Sequence, residues 1–280
     1  MTAMRDKRQQ VIALLTDFGL QDTYVGIMKG VIASIAPEAS VIDLTHSVAP
    51  QHIRQGALLL GSSSEWFPEG TVFVAVVDPG VGTSRRPIAV ETDRAVFIAP
   101  DNGLLSIVLT QQCVRSCTAI TRPQFMLPNP GATFHGRDLF SPAAAYVASG
   151  TSPQELGTPV CPESCVILDF PAPSTGDGGR TWDGEVLYSD IYGNLITSLK
   201  TSLTGSDLLP GEWSVRAGDH LIAELQRTYG DVSEGGTVAY TGSTGLLEIA
   251  IRNGNAARTL GLHEGDRVSL VRDRDPRSID

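Results

Sequence analysis

Five alternating segments near the start of the chain constrain its fold more than any other feature. Val11–Leu15 is an unbroken apolar run that stops at Thr16-Asp17-Phe18-Gly19, the pattern of a buried strand entering a loop. Apolar residues then recur at three- and four-residue spacing (Tyr24, Ile27, Met28, Val31, Ile32, Ile35) until Pro37, which predicts a helix. Asp22 reads as that helix's N-cap. Val41–Leu44 is a second strand, His52–Trp66 a second helix and Thr71–Val77 a third strand. Strand, helix, strand, helix, strand in this order predicts a parallel sheet with right-handed crossovers. Ile88–Val90 and Ala95–Ile98, separated by Glu91-Thr92-Asp93-Arg94, predict an added hairpin. Leu104–Thr110 and Arg137–Ala148 predict further helices.

The pattern changes at Pro171–Asp183, a Gly-, Pro- and Ser-rich stretch without apolar period that reads as a linker. Short apolar runs spaced by turns follow: Gly184–Tyr188, Asn194–Ser198, Ser214–Ala217, Thr237–Tyr240, Leu246–Ile251 and Arg267–Val271. Their regular spacing and Gly-rich turns predict a small barrel or sandwich. The expected organisation is an N-terminal α/β domain over 1–170, a linker over 171–183 and a smaller β domain over 184–280. With 280 residues, both have room for a core.

Twenty-one Lys and Arg against 31 Asp and Glu give a formal net charge of −10, with the basic residues scattered. Such a surface repels nucleic-acid phosphates and anionic lipid, so neither is expected as a partner, while a cationic ligand suits it. No apolar run approaches the ~20 residues of a membrane span. The opening MTAMRDKRQQ is polar and lacks a signal-peptide core, so a cytoplasmic location is expected. Cys113/Cys117 and Cys161/Cys165 share a C-x3-C spacing, wider than the usual x2 zinc spacings and without a glycine knuckle. They are read as reduced thiols, and no metal site is expected. Asp17-Phe18-Gly19 matches a kinase triplet, but no HRD loop, Walker A motif or G-x-G-x-x-G accompanies it.

Polar residues fall where the predicted strands end, the edge at which open α/β sheets bind ligands. Asp17 follows the first strand, His46 the second and Asp78 the third, the last within Asp78-Pro79-Gly80-Val81-Gly82-Thr83. The two glycines there allow close approach of backbone to a ligand. Asp17 is a candidate ligand contact and His46 is read as structural. Thr133-Phe134-His135-Gly136-Arg137-Asp138 places His135 in a loop at a helix start.

LLTDFGLQDTYVGIMKGVI, VIDLTHSVAP, FPEGTVFVAVVDPGVGTSRRPIAV, APDNGLLS, FHGRDLFSPAAA and YSDIYGNLITSL, in this order, resemble the S-adenosylmethionine (SAM) hydroxide adenosyltransferases, hydrolytic relatives of the fluorinase and chlorinase. The likeness runs from about Val11 to Val271. It implies an N-terminal α/β domain, a C-terminal β-barrel and a homotrimer with active sites between subunits. It also implies hydrolysis of SAM to adenosine and L-methionine by water attacking ribose C5′, with SAM as substrate and no cofactor. The implied catalytic set is Asp78, Arg85 and His135, with Arg86 adjacent to Arg85. Asp17 would hold the ribose hydroxyls. Asp190, Asn194, Ser243 and Glu248 would contact methionine and adenine, together with backbone around Ile251. A serine in the related position is followed by arginine in some relatives, whereas Thr244 stands here. The fluorinase carries other residues at the positions of Asp78 and His135, which argues against halide transfer. A non-catalytic SAM or adenosine sensor is the alternative of a different class.

These roles suit the residue types. A carboxylate accepts through two oxygens, so Asp17 matches a cis-diol. The departing thioether is neutral and needs no acid, so the difficulty lies in the nucleophile, since bulk water has a pKa near ~15.7. Orientation by a carboxylate, an arginine and an imidazole is then the main resource. Whether Asp78 or His135 takes the proton is left open by the residue types.

Overall fold

The computed structural model describes residues 10–200, 202, 213–222 and 225–272. The chain forms two compact units, Met1–Leu168 and Asp169–Asp280.

The first unit opens with β1 (Val11–Thr16), α1 (Tyr24–Ile35), β2 (Ser40–Thr45), α2 (Ile53–Ser64) and β3 (Val72–Val76). β4 (Pro87–Thr92), β5 (Val96–Pro100), α3 (Ser106–Gln111), β6 (Val114–Ile120), α4 (Ser141–Ala148) and β7 (Gly157–Pro159) follow. The strands form one sheet in the order β2-β1-β3-β5-β4-β6-β7. β2, β1, β3 and β5 pair in parallel, and β4 enters antiparallel between β5 and β6. Side chains alternate between the faces, and both faces are covered. Ala13, Leu15, Phe73 and Ala75 pack with Leu60 of α2 and Val108 of α3. Ile12, Leu14, Val72 and Val74 pack with Met28 and Ile32 of α1 and with Ala143–Ala145 of α4. Unbroken apolar strands are the sequence consequence of this three-layer arrangement.

The second unit is antiparallel throughout its strand pairs. It comprises β8 (Ser174–Gly176), β9 (Thr181–Ser189), β10 (Leu195–Lys200), β11 (Trp213–Ala217) and β12 (His220–Ile222). β13 (Thr237–Thr241), β14 (Leu246–Ile251), α5 (Ala256–Leu260) and β15 (Arg267–Arg272) complete it. The order is β12-β11-β15-β9-β10-β14-β13, with β8 on β9. Leu225 N–H donates to Trp213 O on β11 (3.2 Å) and Gln226 N–H to Ala239 O on β13 (2.8 Å). These two bonds draw the ends of the sheet together into a nearly closed barrel around Trp213, Val215, Leu247 and Ile249.

The structure departs from the sequence reading in four places. Residues 171–183 are not simply a connection, because β8 and the start of β9 form a hairpin there. α1 begins at Tyr24 with Thr23 at its N-cap and no side-chain cap bond, so Asp22 does not cap it. The helix expected from Arg137 opens as a wide turn with i→i+5 bonding over Gly136–Phe140 before α4 proper, a form concentrated at functional sites. β6 and β7 extend the sheet beyond the predicted strands. Among the described residues no helix is long and apolar enough to cross a membrane.

Candidate active site

The parallel strands β2, β1 and β3 lie side by side, so the residues that follow them emerge along one edge of the sheet. Asp17 stands one residue beyond β1. Its Oδ2 accepts the Gln51 N–H at 2.7 Å, tying it to the loop after β2. Among the described residues its Oδ1 has no protein partner, so this oxygen keeps its acceptor capacity.

Asp78 follows Val77 at the end of β3. The next residues turn tightly: Val81 N–H donates to Asp78 O (3.2 Å), and Thr83 donates to Gly80 O from both its N–H (3.1 Å) and its hydroxyl (2.7 Å). Gly82 sits at φ +79°, and a Cβ there would lie 2.7 Å from Ala132 O, so this loop is fitted against the segment that leads to His135. The turn returns Arg85 over Asp78. Arg85 Nε donates to Asp78 Oδ1 (3.0 Å) and Oδ2 (2.9 Å), and Nη2 makes a further short contact to Oδ2. The same Nη2 lies 2.7 Å from His135 Nδ1. Both side chains of the ion pair are almost wholly buried, and the guanidinium lies 5.3 Å from the Phe140 ring centroid.

This geometry separates the two adjacent arginines. Arg86 points away, donating to Asp101 Oδ2 (2.8 and 2.6 Å) and to the carbonyl of Ser164 (2.7 Å), and thereby anchors the end of the first unit. Arg85 is the one that joins Asp78 to His135.

A guanidinium donates and never accepts. The Arg85 contact therefore makes His135 Nδ1 an acceptor, and the neutral imidazole carries its proton on Nε2. Burial, reinforced by the Arg85 charge, pushes the imidazole below its ordinary value, against the opposing pull of Asp78 and Asp138. Asp138 shapes the loop that carries it. Its buried carboxylate accepts Gly131 N–H (2.8 Å) and Arg137 Nε (2.6 Å), and its carbonyl accepts Leu127 N–H (2.9 Å). Asp138 lies in the FHGRD segment already singled out, but its partner Gly131 lies seven residues away in an irregular stretch, so no pattern marks this supporting role.

In the second unit Asp190 organises the β9–β10 turn. Oδ1 accepts the N–H groups of Tyr192 and Asn194 (both 2.9 Å), and Oδ2 accepts Asn194 Nδ2 (2.8 Å). Three of its roughly four acceptor sites are thus used within the turn. Gly193, at φ +83°, lies so close to Asn255 that a Cβ would fall 2.1 Å from its Cγ. Buried Asn194 also donates to Tyr229 Oη at 3.3 Å. The Tyr229 and Tyr240 hydroxyls share a short hydrogen bond, and Tyr240 Oη donates to Glu248 Oε2 at 2.6 Å. Burial, with the nearby Asp190 charge, raises Glu248 above the usual carboxylate range despite the Tyr240 donor. Burial and the same two carboxylates push the Tyr188 hydroxyl up to about 12.

Asp190, Asn194, Tyr229, Tyr240 and Glu248 therefore form one continuous hydrogen-bonded line. Tyr229 and Tyr240 were missed from sequence. Tyr240 opposes Glu248 across the β13–β14 hairpin, a register that the turn at Gly242–Gly245 sets; Tyr229 opens a single 3₁₀ turn, Tyr229–Asp231, capped by Thr228 and Asp231, a local motif that does not reveal its partner in space. Ser243 is exposed on that same hairpin turn. Ile251 is placed differently: its side chain belongs to the barrel core, and its carbonyl accepts Gly254 N–H at 3.0 Å.

The cysteines do not act as the sequence pairs. Cys117 and Cys165, from different pairs, are buried with their sulfurs 3.7 Å apart, while Cys113 and Cys161 are exposed. Burial pushes the Cys117 thiol up to about 12.

Residues 12–157 match the SAM hydroxide adenosyltransferase N-terminal domain and residues 184–269 its C-terminal domain. The chain is 42% identical over 267 residues to the (R)-S-adenosyl-L-methionine hydrolase of Thermus thermophilus, covering 93% of this chain and 99% of that one. It is 38% identical over 261 residues to the protein of the same name from Salinispora arenicola (93% and 97% covered). A fluorinase from an Actinoplanes species is 26% identical over 295 residues (94% and 97% covered). Among solved structures, an uncharacterized conserved protein from Thermotoga maritima superposes with a TM-score of 0.87 at 36% identity, over 93% of this chain and all of that one. A conserved hypothetical protein from Thermus thermophilus gives 0.77 at 39%, over 94% and all. With both domain profiles matched in order and these identities sustained over nearly the whole chain, the protein belongs to the SAM hydroxide adenosyltransferase family.

Proposed function

We propose that this protein hydrolyses S-adenosyl-L-methionine to adenosine and L-methionine by attack of water on ribose C5′. The observation that carries this reading is the Asp78–Arg85–His135 contact chain, a buried ion pair joined to a half-buried imidazole within one unit. Water forms the C5′–O bond as the C5′–S bond breaks, and the sulfonium sulfur takes the bonding pair to leave as neutral thioether. Arg85 fixes both partners of the water. His135 Nδ1 is committed to Arg85, so His135 offers its Nε2–H as a donor, and the carboxylate of Asp78 is left to take the proton. An arginine-paired carboxylate is a weak base. A weak base suffices here, because water becomes strongly acidic as it bonds to carbon.

Asp17 holds the ribose hydroxyls in this reading. Asp190, Asn194, Ser243, Glu248 and the backbone at Ile251 serve methionine and adenine. No cofactor takes part. The (R) sulfonium epimer, named in the curated relatives, is the one turned over. The protein works in the cytoplasm as a homotrimer with two domains per chain.

In oxygen-18 water the label should enter the adenosine 5′-hydroxyl, with the rate unchanged by EDTA and no halo-nucleoside formed in added chloride or fluoride. Label in any other product, or methylthioadenosine as the nucleoside formed, overturns the reaction. No turnover, with SAM bound tightly, would instead favour a sensor. Light scattering showing a mass other than three chains overturns the trimer alone.

A further inference from the structure

His46 takes no part in the chemistry above, yet it is held by more contacts than a packing residue needs. It is 4% exposed, and the Thr16 hydroxyl beside it is on a fully buried residue. His46 Nδ1 lies 2.9 Å from Thr16 Oγ1, and Nε2 lies 3.0 Å from Asp43 Oδ1. Asp43 Oδ2 accepts Lys29 Nζ at 2.6 Å. Thr16 Oγ1 accepts the Phe18 N–H at 3.2 Å, and the His46 carbonyl accepts the Gly19 N–H at 2.8 Å.

The direction of these bonds follows from the donors available. Nε2 faces the Asp43 carboxylate at ion-pair distance without an aligned hydrogen bond, and the tautomer with its proton on Nε2 is the one that suits a carboxylate neighbour. Nδ1 is then an acceptor, and the Thr16 O–H donates to it. That leaves a lone pair of Thr16 Oγ1 for the Phe18 N–H, which is the bond observed. Asp17 lies between the two anchored residues, Phe18 and Thr16, and the Gly19 bond holds the far side of the same turn. The remaining tie of Asp17, to Gln51 N–H, comes from the loop that begins at His46.

We infer that His46 is a positioning residue for substrate binding: through Thr16 and its own carbonyl it fixes the turn that presents the Asp17 carboxylate to the ribose hydroxyls. The inference rests on the reading of Asp17 as the ribose contact. It differs from a purely structural role in what it predicts, since a misplaced Asp17 weakens every complex containing ribose and leaves the assembled Asp78–Arg85–His135 group intact.

The test measures the adenosine inhibition constant, KM and kcat in the full-length protein. Thr16→Val keeps the shape of the buried side chain and removes the hydroxyl, and His46→Ala removes the ring. Each should raise KM for SAM and the inhibition constant of adenosine about tenfold, the scale of one lost hydrogen bond. kcat should stay within about twofold, since the interaction serves ground state and transition state alike. Thr16→Ser, which restores the hydroxyl, and His46→Asn, which keeps a group at the Nδ1 position, should recover most of the affinity. Thr16→Val carries the test alone where His46→Ala does not fold.

Asp17→Ala is the control that separates the two readings. If it weakens adenosine while Thr16→Val binds adenosine normally, the positioning role is overturned and the ribose assignment survives. If Asp17→Ala itself binds adenosine normally, the ribose assignment fails and the inference fails with it. A fall in kcat with KM unchanged in Thr16→Val also overturns the inference.

Discussion

Arg85 donates from Nε to both oxygens of Asp78 and from Nη2 to His135 Nδ1, a fork that a single lysine nitrogen cannot reproduce. Arg85→Lys should therefore lose turnover almost as completely as Arg85→Ala. Asp78→Asn, which removes the proposed proton acceptor, should lower kcat by about 10²-fold or more. In all three variants the adenosine inhibition constant should stay near that of the parent protein, and a matching loss of adenosine affinity would return these residues to a binding role. Acid adds a second, independent reading. The imidazole of His135 lies below its ordinary value, so the folded state holds fewer protons than the unfolded state as pH falls through 6.5. Stability from this group is present at and above neutral pH and is lost below that value. Protonated Nδ1 would also repel Arg85 and break the contact on which the proposed chemistry rests. kcat/KM should fall on the acid side in step with a falling Tm, and His135→Gln should flatten the part of the Tm profile due to this group. The pair Arg85 and Arg86 shows why such assignments were beyond the sequence alone. Adjacent identical residues have no distinguishing pattern, and only the Gly80–Thr83 turn sends one to Asp78 and the other to Asp101.

The elements that sequence revealed were those whose burial is one-sided or total. β1 and β3 are unbroken apolar strands because the sheet is covered on both faces there, and α1 and α2 keep a 3.6-residue period, while β2, at the sheet edge, shows only the short run Val41-Ile42-Asp43-Leu44. β6 was hidden, because Val114-Arg115-Ser116-Cys117-Thr118-Ala119-Ile120 has its polar half near the sheet margin and no apolar run. The β8–β9 hairpin was hidden in another way: Asp177-Gly178-Gly179, all three at positive φ, is a hairpin signal that its Gly- and Pro-rich surroundings made look like linker. Within the barrel, the β13–β14 hairpin places Tyr240 against Glu248 and builds a carboxylate whose ionisation is opposed by burial. A group raised in this way contributes stability below its ordinary pKa and loses it as pH rises through the raised value. Glu248→Gln should therefore have a higher Tm than the parent at neutral pH, with the difference shrinking toward pH 4, while KM for SAM rises. A lower Tm for the variant at every pH would show that the ionised carboxylate is held by a partner stronger than Tyr240.

At the scale of the whole molecule the formal charge of −10 acts on a substrate whose sulfonium and ammonium outweigh its carboxylate. The basic residues are scattered, so the field is diffuse, and its effect on a small cation is modest and long-ranged. Salt removes such a field: the Debye length is about 10 Å at 0.1 M and about 3 Å at 1 M. The buried Asp78–Arg85 pair is screened far less than the surface, so the chemical step should not share the salt dependence. Raising the salt from about 10 mM to about 0.5 M should therefore lower kcat/KM for SAM by a few-fold, through KM, with kcat nearly constant. Adenosine is neutral and supplies the internal comparison: its inhibition constant should barely move over the same range. A parallel loss of adenosine affinity would mean that salt perturbs the ribose site rather than the long-range field. A kcat/KM independent of salt would mean that the acidic surface contributes nothing to capture of the sulfonium, and that recognition of the substrate's charge is confined to groups in direct contact.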